Sequence, residues 1–231
     1  MRQFLLTRMA DKNETDRKVR FSHEKANFIS LPLIEVVPDF EWTTDKVAEL
    51  GRADWLFFSS QYGVKSFFTT VDQSRYQKQI RTKLSQLKIA AIGKYTNQCL
   101  QNEGYEATFV PSRANISTLI EEWQEHDEWQ NDHGIWINGD QLSHRMDMRP
   151  GMFADWTLYH NQAPKDYQSK LRSLLESTAI TDYFVSSPSI WHRFYQVAKN
   201  YPLMNIHYYV LGDKTARAIQ ADIPTAQITF L

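Results

Sequence analysis

The sequence predicts an α/β protein of two similar lobes, each built on a parallel sheet. Three observations carry that expectation. The first is a repeated pair of phrases. Asp54-Trp55-Leu56-Phe57-Phe58-Ser59-Ser60 returns as Asp182-Tyr183-Phe184-Val185-Ser186-Ser187, and Ala91-Ile92-Gly93-Lys94-Tyr95-Thr96 returns as Val210-Leu211-Gly212-Asp213-Lys214-Thr215. Each phrase reads as an apolar strand, a small or polar turn and a helix start. The second is the alternation of strand and helix patterns along the chain, which implies parallel strands joined by right-handed crossovers. The third is strand supply: only three strands follow Pro164, too few for a sheet, and residues 3–7 have no home in the middle of the chain. The first strand therefore joins the C-terminal lobe. Ser60 and Gly93 lie 33 residues apart but Ser187 and Gly212 only 25, which fits an old duplication or convergence on one fold and excludes a solenoid.

In chain order, residues 3–7 form a buried strand, and the highly charged 11–27 form a solvated helix or a loop. Residues 28–37 are extended, but Pro32 bars them from the centre of a sheet and Pro38 ends them, so they read as an edge segment or connector. Residues 43–50 form a helix, capped by Thr43 or Thr44 and stopped at Gly51. The continuous apolar run 55–59 is a strand covered on both faces. Helices follow at 62–70 and 75–87, a strand at 88–92, a helix at 95–102 stopped by Gly104, a strand at 107–110, an acidic helix at 117–129 and a strand at 135–138. A second connector, 155–162, is closed by Pro164. Helices at 167–175, 190–198 and 214–220 then alternate with strands at 182–186, 206–211 and 226–230. The resulting division is a discontinuous lobe of 1–27 plus 165–231, an inserted lobe of 39–155, and connectors 28–38 and 156–164 running side by side as a hinge. Facing lobes enclose a cleft, where small ligands bind.

Composition narrows the function classes. The chain has 231 residues, with 26 basic and 27 acidic for a net charge of −1, so no basic stripe marks a nucleic-acid partner. A single cysteine, Cys99, excludes an internal disulfide and fits a reducing compartment; it lies in a helix and reads as a small core residue. No run approaches the roughly 20 apolar residues of a membrane span, and Met1-Arg2-Gln3-Phe4-Leu5-Leu6-Thr7-Arg8 is too short for a secretion signal. A cytoplasmic protein without membrane contact is expected. The 7 histidines are scattered without metal-ligand spacing, and no dinucleotide fingerprint is present.

The ordered phrases resemble the uroporphyrinogen-III synthase family over most of the chain. Leu5-Leu6-Thr7-Arg8 is similar to that family's opening strand and turn, and Leu31-Pro32-Leu33-Ile34-Glu35 to its proline-containing connector. Trp55 to Ser60 with Gly63-Val64 and Phe67-Phe68, and Ala91 to Thr96 with Gly104 and Val110-Pro111, resemble its first-lobe turns. Leu158-Tyr159 resembles its return connector, and Phe184-Val185-Ser186-Ser187 and Leu211 to Ala216 its second-lobe turns. Departures are the polar 11–27 segment, Ser59 in place of threonine, and the end at Leu231.

The resemblance implies two flavodoxin-like lobes joined by a two-stranded β-ladder. It also implies a cofactor-independent lyase that cyclises hydroxymethylbilane, a linear tetrapyrrole with eight carboxylates, by losing water and inverting the last ring through a spiro intermediate. A monomer acting on this one small molecule is expected. Most of the catalysis can be positioning, since loss of the hydroxyl already yields a reactive azafulvene. Tyr159 is the candidate acid, or alternatively a hinge aromatic that only packs. Candidate carboxylate contacts are the strand-end turns: Ser59, Ser60, Gly93, Lys94 and Thr96, then Ser186, Ser187, Gly212, Lys214 and Thr215, with Arg8 at the end of the first strand. Ser60, Thr96, Ser187 and Thr215 also read as helix caps, and Asp140 as the cap of a following helix. A two-lobe binder of a phosphorylated sugar, or an inactive relative, fits the same serine turns.

Overall fold

Strand β1 (Gln3–Leu6) lies inside a sheet whose other members are β2 (Asn27–Ser30), β8 (Asp182–Val185), β9 (His207–Val210) and β10 (Gln227–Phe230). The order is β10-β9-β8-β1-β2 and every pairing is parallel. Counted within this sheet the order is 2-1-3-4-5, that of a flavodoxin-like fold. The coordinates are a computed structural model that describes residues 1–140 and 152–231. The chain divides into one compact unit of Met1–Glu35 with Gln162–Leu231, and another of Val36–Asn161.

Strand pleating sorts the first unit's side chains onto two faces. Leu5, Tyr183, Val185, Tyr208 and Val210 pack against helices α7 (Tyr167–Ser177), α8 (Pro188–Ala198) and α9 (Asp213–Asp222). Phe4, Leu6, Phe184 and Tyr209 form a smaller aromatic layer with Phe21. That layer gives the polar 11–27 stretch its reason. Helix α1 (Ala10–Thr15) continues as a π-helical turn, Asp16–Arg20, which delivers Phe21 onto Phe4 and Phe184.

The second unit's sheet has the order β3-β7-β6-β4-β5, formed by β3 (Glu35–Pro38), β7 (Phe153–Gln162), β6 (Gly134–Gly139), β4 (Trp55–Phe58) and β5 (Lys88–Ala91). The β4–β5, β4–β6 and β6–β7 pairings are parallel. Leu56, Phe58, Ile135, Ile137, Trp156 and Leu158 face a core with helices α2 (Thr44–Arg52), α3 (Gln61–Asp72) and α4 (Gln77–Leu84). Trp55, Phe57, Ala90 and Trp136 face Leu119 and Trp123 of helix α6 (Ile116–Gln124). Helix α5 (Lys94–Asn102) ends at Gly104, whose φ of +84° is the left-handed stop that glycine supplies.

The duplication is circularly permuted. Reading β7-β6-β4-β5 and the bridge at Phe109 reproduces β2-β1-β8-β9-β10. The strands that open the first unit thus correspond to those that close the second. The unequal spacing of the copied phrases has another cause: α4 is an extra helix between α3 and β5, where the first unit has only the 3₁₀ turn Leu203–Asn205 between α8 and β9.

Local differences from the sequence reading have simple causes. The 28–37 segment is two short strands in different sheets, because Pro32 interrupts the ladder after Ser30. The 107–110 strand reduces to the isolated bridge between Ala90 and Phe109. Helix α6 stops at Gln124, and Asp127–Trp129 forms a separate 3₁₀ turn.

Candidate functional site

In sheets of this order, ligands bind beyond the C-terminal strand ends where the winding reverses. In the second unit that point lies between β4 and β6, and it holds a connected polar group. Ser60 is the N-cap of α3, and its Oγ accepts a hydrogen bond from the Gly63 amide at 3.0 Å. The same Oγ lies 2.9 Å from the Tyr159 hydroxyl. Ser59 donates to the Ile137 carbonyl at 3.1 Å and sits 3.2 Å from Asn138 Oδ1. Buried Asn138 in turn donates to Asp155 at 3.1 Å.

Tyr159 reaches this group through a defect in its strand. The β6–β7 register shifts at Asn138/Gly139, so that Gly139 stands opposite Tyr159. The bulge breaks alternation, and both Leu158 and Tyr159 turn into the core. Gly139 makes room for the ring: a Cβ there would stand 2.4 Å from Tyr159 Cε2 and 2.6 Å from Cζ. Burial pushes the Tyr159 hydroxyl above the ordinary tyrosine value; the Ser60 hydrogen bond opposes this and the Asp140 charge adds to it. The phenol is therefore protonated at neutral pH.

The adjoining residue is held at both ring nitrogens. His160 Nε2 lies 2.9 Å from Asp39, and Nδ1 lies 3.3 Å from Asp140. Asp140 also accepts from the Asn161 amide at 3.1 Å, and its carboxyl is held below the usual range, its hydrogen bonds outweighing a burial effect of opposite sign. Asp140 thus spends its acceptors on Asn161 and His160; the helix that the sequence has it cap falls on residues 141–151, outside the described residues.

On the neighbouring strand, Gly93 begins α5 with no side-chain cap, and Lys94 is exposed with no ion pair among the described residues. A Cβ on Gly93 would meet that of Ala114 at 2.8 Å, so the glycine permits a close backbone passage. Thr96 does not cap this helix: it is buried within the first turn.

The first unit's reversal lies between β1 and β8, where buried Thr7 bonds Tyr183 across the strands at 3.1 Å. Ser187 caps α8, accepting weakly from the Ile190 amide at 3.4 Å and bonding Ser189 at 3.0 Å. Ser186 is half-buried beside it. Gly212 starts α9 without a side-chain cap, Lys214 is exposed, and Thr215 is buried in the first turn like Thr96. Arg8, the candidate carboxylate contact at the end of β1, is paired with a carboxylate of its own chain. Its guanidinium donates to Asp16 at 2.9 Å and 3.2 Å, anchoring the π-helical turn. The charge alternation of 11–27 did not reveal that partner, because the pairing depends on the π turn.

The candidate residues thus fall into two sets, one at each sheet's strand ends. Asn138, Gly139 and Thr7 belong with them and were not singled out as site residues by sequence. The signals were Asn138-Gly139-Asp140 at a strand end for the first two and the turn Thr7-Arg8 after the first strand for the third. Among the described residues no cluster of His, Cys, Asp or Glu could hold a metal ion, and no helix is long and apolar enough to cross a membrane.

Comparison with known proteins gives the family. The family model described as uroporphyrinogen-III synthase HemD matches residues 17–228. This chain belongs to the uroporphyrinogen-III synthase family. The family's solved members share its fold. Uroporphyrinogen-III synthetase from Helicobacter pylori aligns over 99% of this chain and 92% of its own, at 15% identity and a TM-score of 0.63. A mutant uroporphyrinogen III synthase from Thermus thermophilus aligns over 100% and 93%, at 10% identity and a TM-score of 0.53. No curated protein sequence matches the chain significantly. Family membership makes the chain an enzyme, a lyase of porphyrin biosynthesis acting on a small molecule.

Proposed function

We propose that the protein converts hydroxymethylbilane into uroporphyrinogen III with no cofactor, as a cytoplasmic monomer, using Tyr159 as the acid. The observation that carries this reading is the hydrogen-bonded pair of Ser60 and Tyr159 at the winding reversal, in a chain matched by the family model over residues 17–228. A buried, protonated phenol is suited to give its proton to the departing hydroxyl, which leaves as water. The azafulvene left behind is attacked by the substituted carbon of the last ring, giving the spiro intermediate. The proton shed after rearrangement returns to the phenolate.

Eight carboxylates call for donors rather than for more acid. The first turns of α5 and α9 support this role, because their amides carry no side-chain cap and each bears an exposed lysine, Lys94 or Lys214. Ser59, Ser186 and Ser187 add neutral hydroxyls. Gly212 has nothing packed over its Cα and leaves its turn open, Gly93 instead lets Ala114 pass close by, and buried Thr96 and Thr215 shape those turns from within. Arg8 contributes indirectly, by holding the turn after β1 through Asp16.

Freshly prepared hydroxymethylbilane tests the proposal. After oxidation, chromatography separates the isomers. An excess of isomer III over the isomer I that forms spontaneously is expected; isomer I alone would overturn the reading.

A further inference from the structure

We infer that Ser60 and Gly139 are positioning residues that aim the Tyr159 hydroxyl, Ser60 by donating a hydrogen bond to the phenol oxygen and Gly139 by admitting the ring. This rests on the proposed role of Tyr159. The Ser60–Tyr159 contact allows either oxygen to donate, and the inferred direction is the one that leaves the phenol proton available. Ser60 Oγ already accepts the Gly63 amide hydrogen at 3.0 Å, and that contact fixes it at the head of α3. Its own proton is left within reach of Tyr159 Oη, at 2.9 Å. With the phenol oxygen accepting from Ser60, the phenol proton is free for the substrate. The reverse arrangement would bury that proton on Ser60 and leave Tyr159 with nothing to give. Once the proton has left, the same serine stabilises the phenolate.

Gly139 acts sterically. The ring lies so close over its Cα that a Cβ would stand 3.0 Å from Oη as well as overlapping Cε2 and Cζ. The neighbouring bulge fixes the height of the ring along the strand. Helix cap, bulge and glycine therefore meet on one hydroxyl, which no single sequence phrase encodes.

The test compares Ser60→Ala, Ser60→Thr and Gly139→Ala with the unaltered protein. Steady-state turnover is read together with the ¹³Cζ resonance of Tyr159, assigned by its loss in Tyr159→Phe. Ser60→Ala is expected to lower kcat about 10-fold, the size of one lost hydrogen bond, with KM within about 2-fold and the Tyr159 resonance displaced. Ser60→Thr, which keeps hydroxyl and cap, restores both. Gly139→Ala displaces the resonance and lowers kcat in a protein that still melts cooperatively. A raised KM with unchanged kcat in Ser60→Ala would mean that Ser60 meets the substrate directly and would overturn the inference. So would an unmoved resonance in both alanine variants. Should the unaltered protein make no isomer III, the reaction assignment fails, and the resonance alone still decides whether Ser60 and Gly139 orient the ring.

Discussion

Tyr159 joins the proposed proton transfer to packing. Its ring belongs to the aromatic and aliphatic core under β4 and β6, while its oxygen meets Ser60 at the strand ends. Removing that oxygen alone separates the two roles. Tyr159→Phe keeps the packing and is expected to lower kcat by about 10²-fold or more, the range for a general acid; unchanged turnover would leave Tyr159 as a packing residue. The pH profile has a defined sign. An acid works only while protonated, and burial holds this phenol above the usual ~10. Turnover should thus stay level through pH 9 and fall at higher pH, and Tyr159→Phe should lose that alkaline fall. At the proposed anion turns, Thr96→Ala and Thr215→Ala are expected to raise KM more than they lower kcat, as initial-rate measurements would show. An unchanged KM would separate these threonines from carboxylate binding.

Helix termini carry most of what the individual elements contribute. Ser60 and Ser187 close helix starts with their side chains, whereas Gly93 and Gly212 leave theirs open. The repeat thus alternates one closed and one open helix start in each unit. Closed starts contribute stability, and open starts keep their amides without a side-chain partner. Ser187→Ala should cost about 1 kcal/mol, visible as a lower urea midpoint with an unchanged slope. At the opposite end of α5, Gly104 holds a φ of +84° that a side chain resists. Gly104→Ala should destabilise the second unit by a similar ~1 kcal/mol, measurable in the same urea titration. Both helix ends were visible in the sequence as a serine before an apolar run and a glycine after one. The bulge at Gly139 was not, because a bulge is a property of two paired strands and its second strand lies some twenty residues further on.

Across the molecule, the first unit is closed by a contact between chain regions 180 residues apart. Arg2 donates to both carboxylate oxygens of buried Asp182, and also to Glu24 and to Tyr209. Asp182 begins the second copy of the repeated phrase, and Asp54, which begins the first, accepts from the His133 amide at 2.9 Å. The repeated aspartate therefore ties the lower edge of each sheet to another strand. Burial pushes the Asp182 carboxyl upward, but Arg2, Thr181 and Tyr209 outweigh it and hold it below the usual range. A depressed folded value contributes stability above the unfolded value of ~3.9, and that stability is lost as pH falls through the folded one. Arg2→Met should cost about 2 kcal/mol at pH 7, below the roughly 3–5 kcal/mol of a fully buried pair because Arg2 is 40% exposed. The difference between the two proteins should shrink toward pH 3, as urea unfolding at both pH values would reveal.

The sequence by itself determined the strands, the helices, the duplication and the family, because those are written in short-range pattern: apolar runs, caps, stops and repeated turns. It also marked the turns that gather at the strand ends. Tertiary structure alone decided the circular permutation of the second sheet, the capture of Arg8 by Asp16, and the meeting of Ser60, Gly139 and Tyr159 around one hydroxyl. Those depend on which strand lies beside which. That neighbourhood is set by burying two faces of a sheet at once, a free energy summed over residues far apart in the chain.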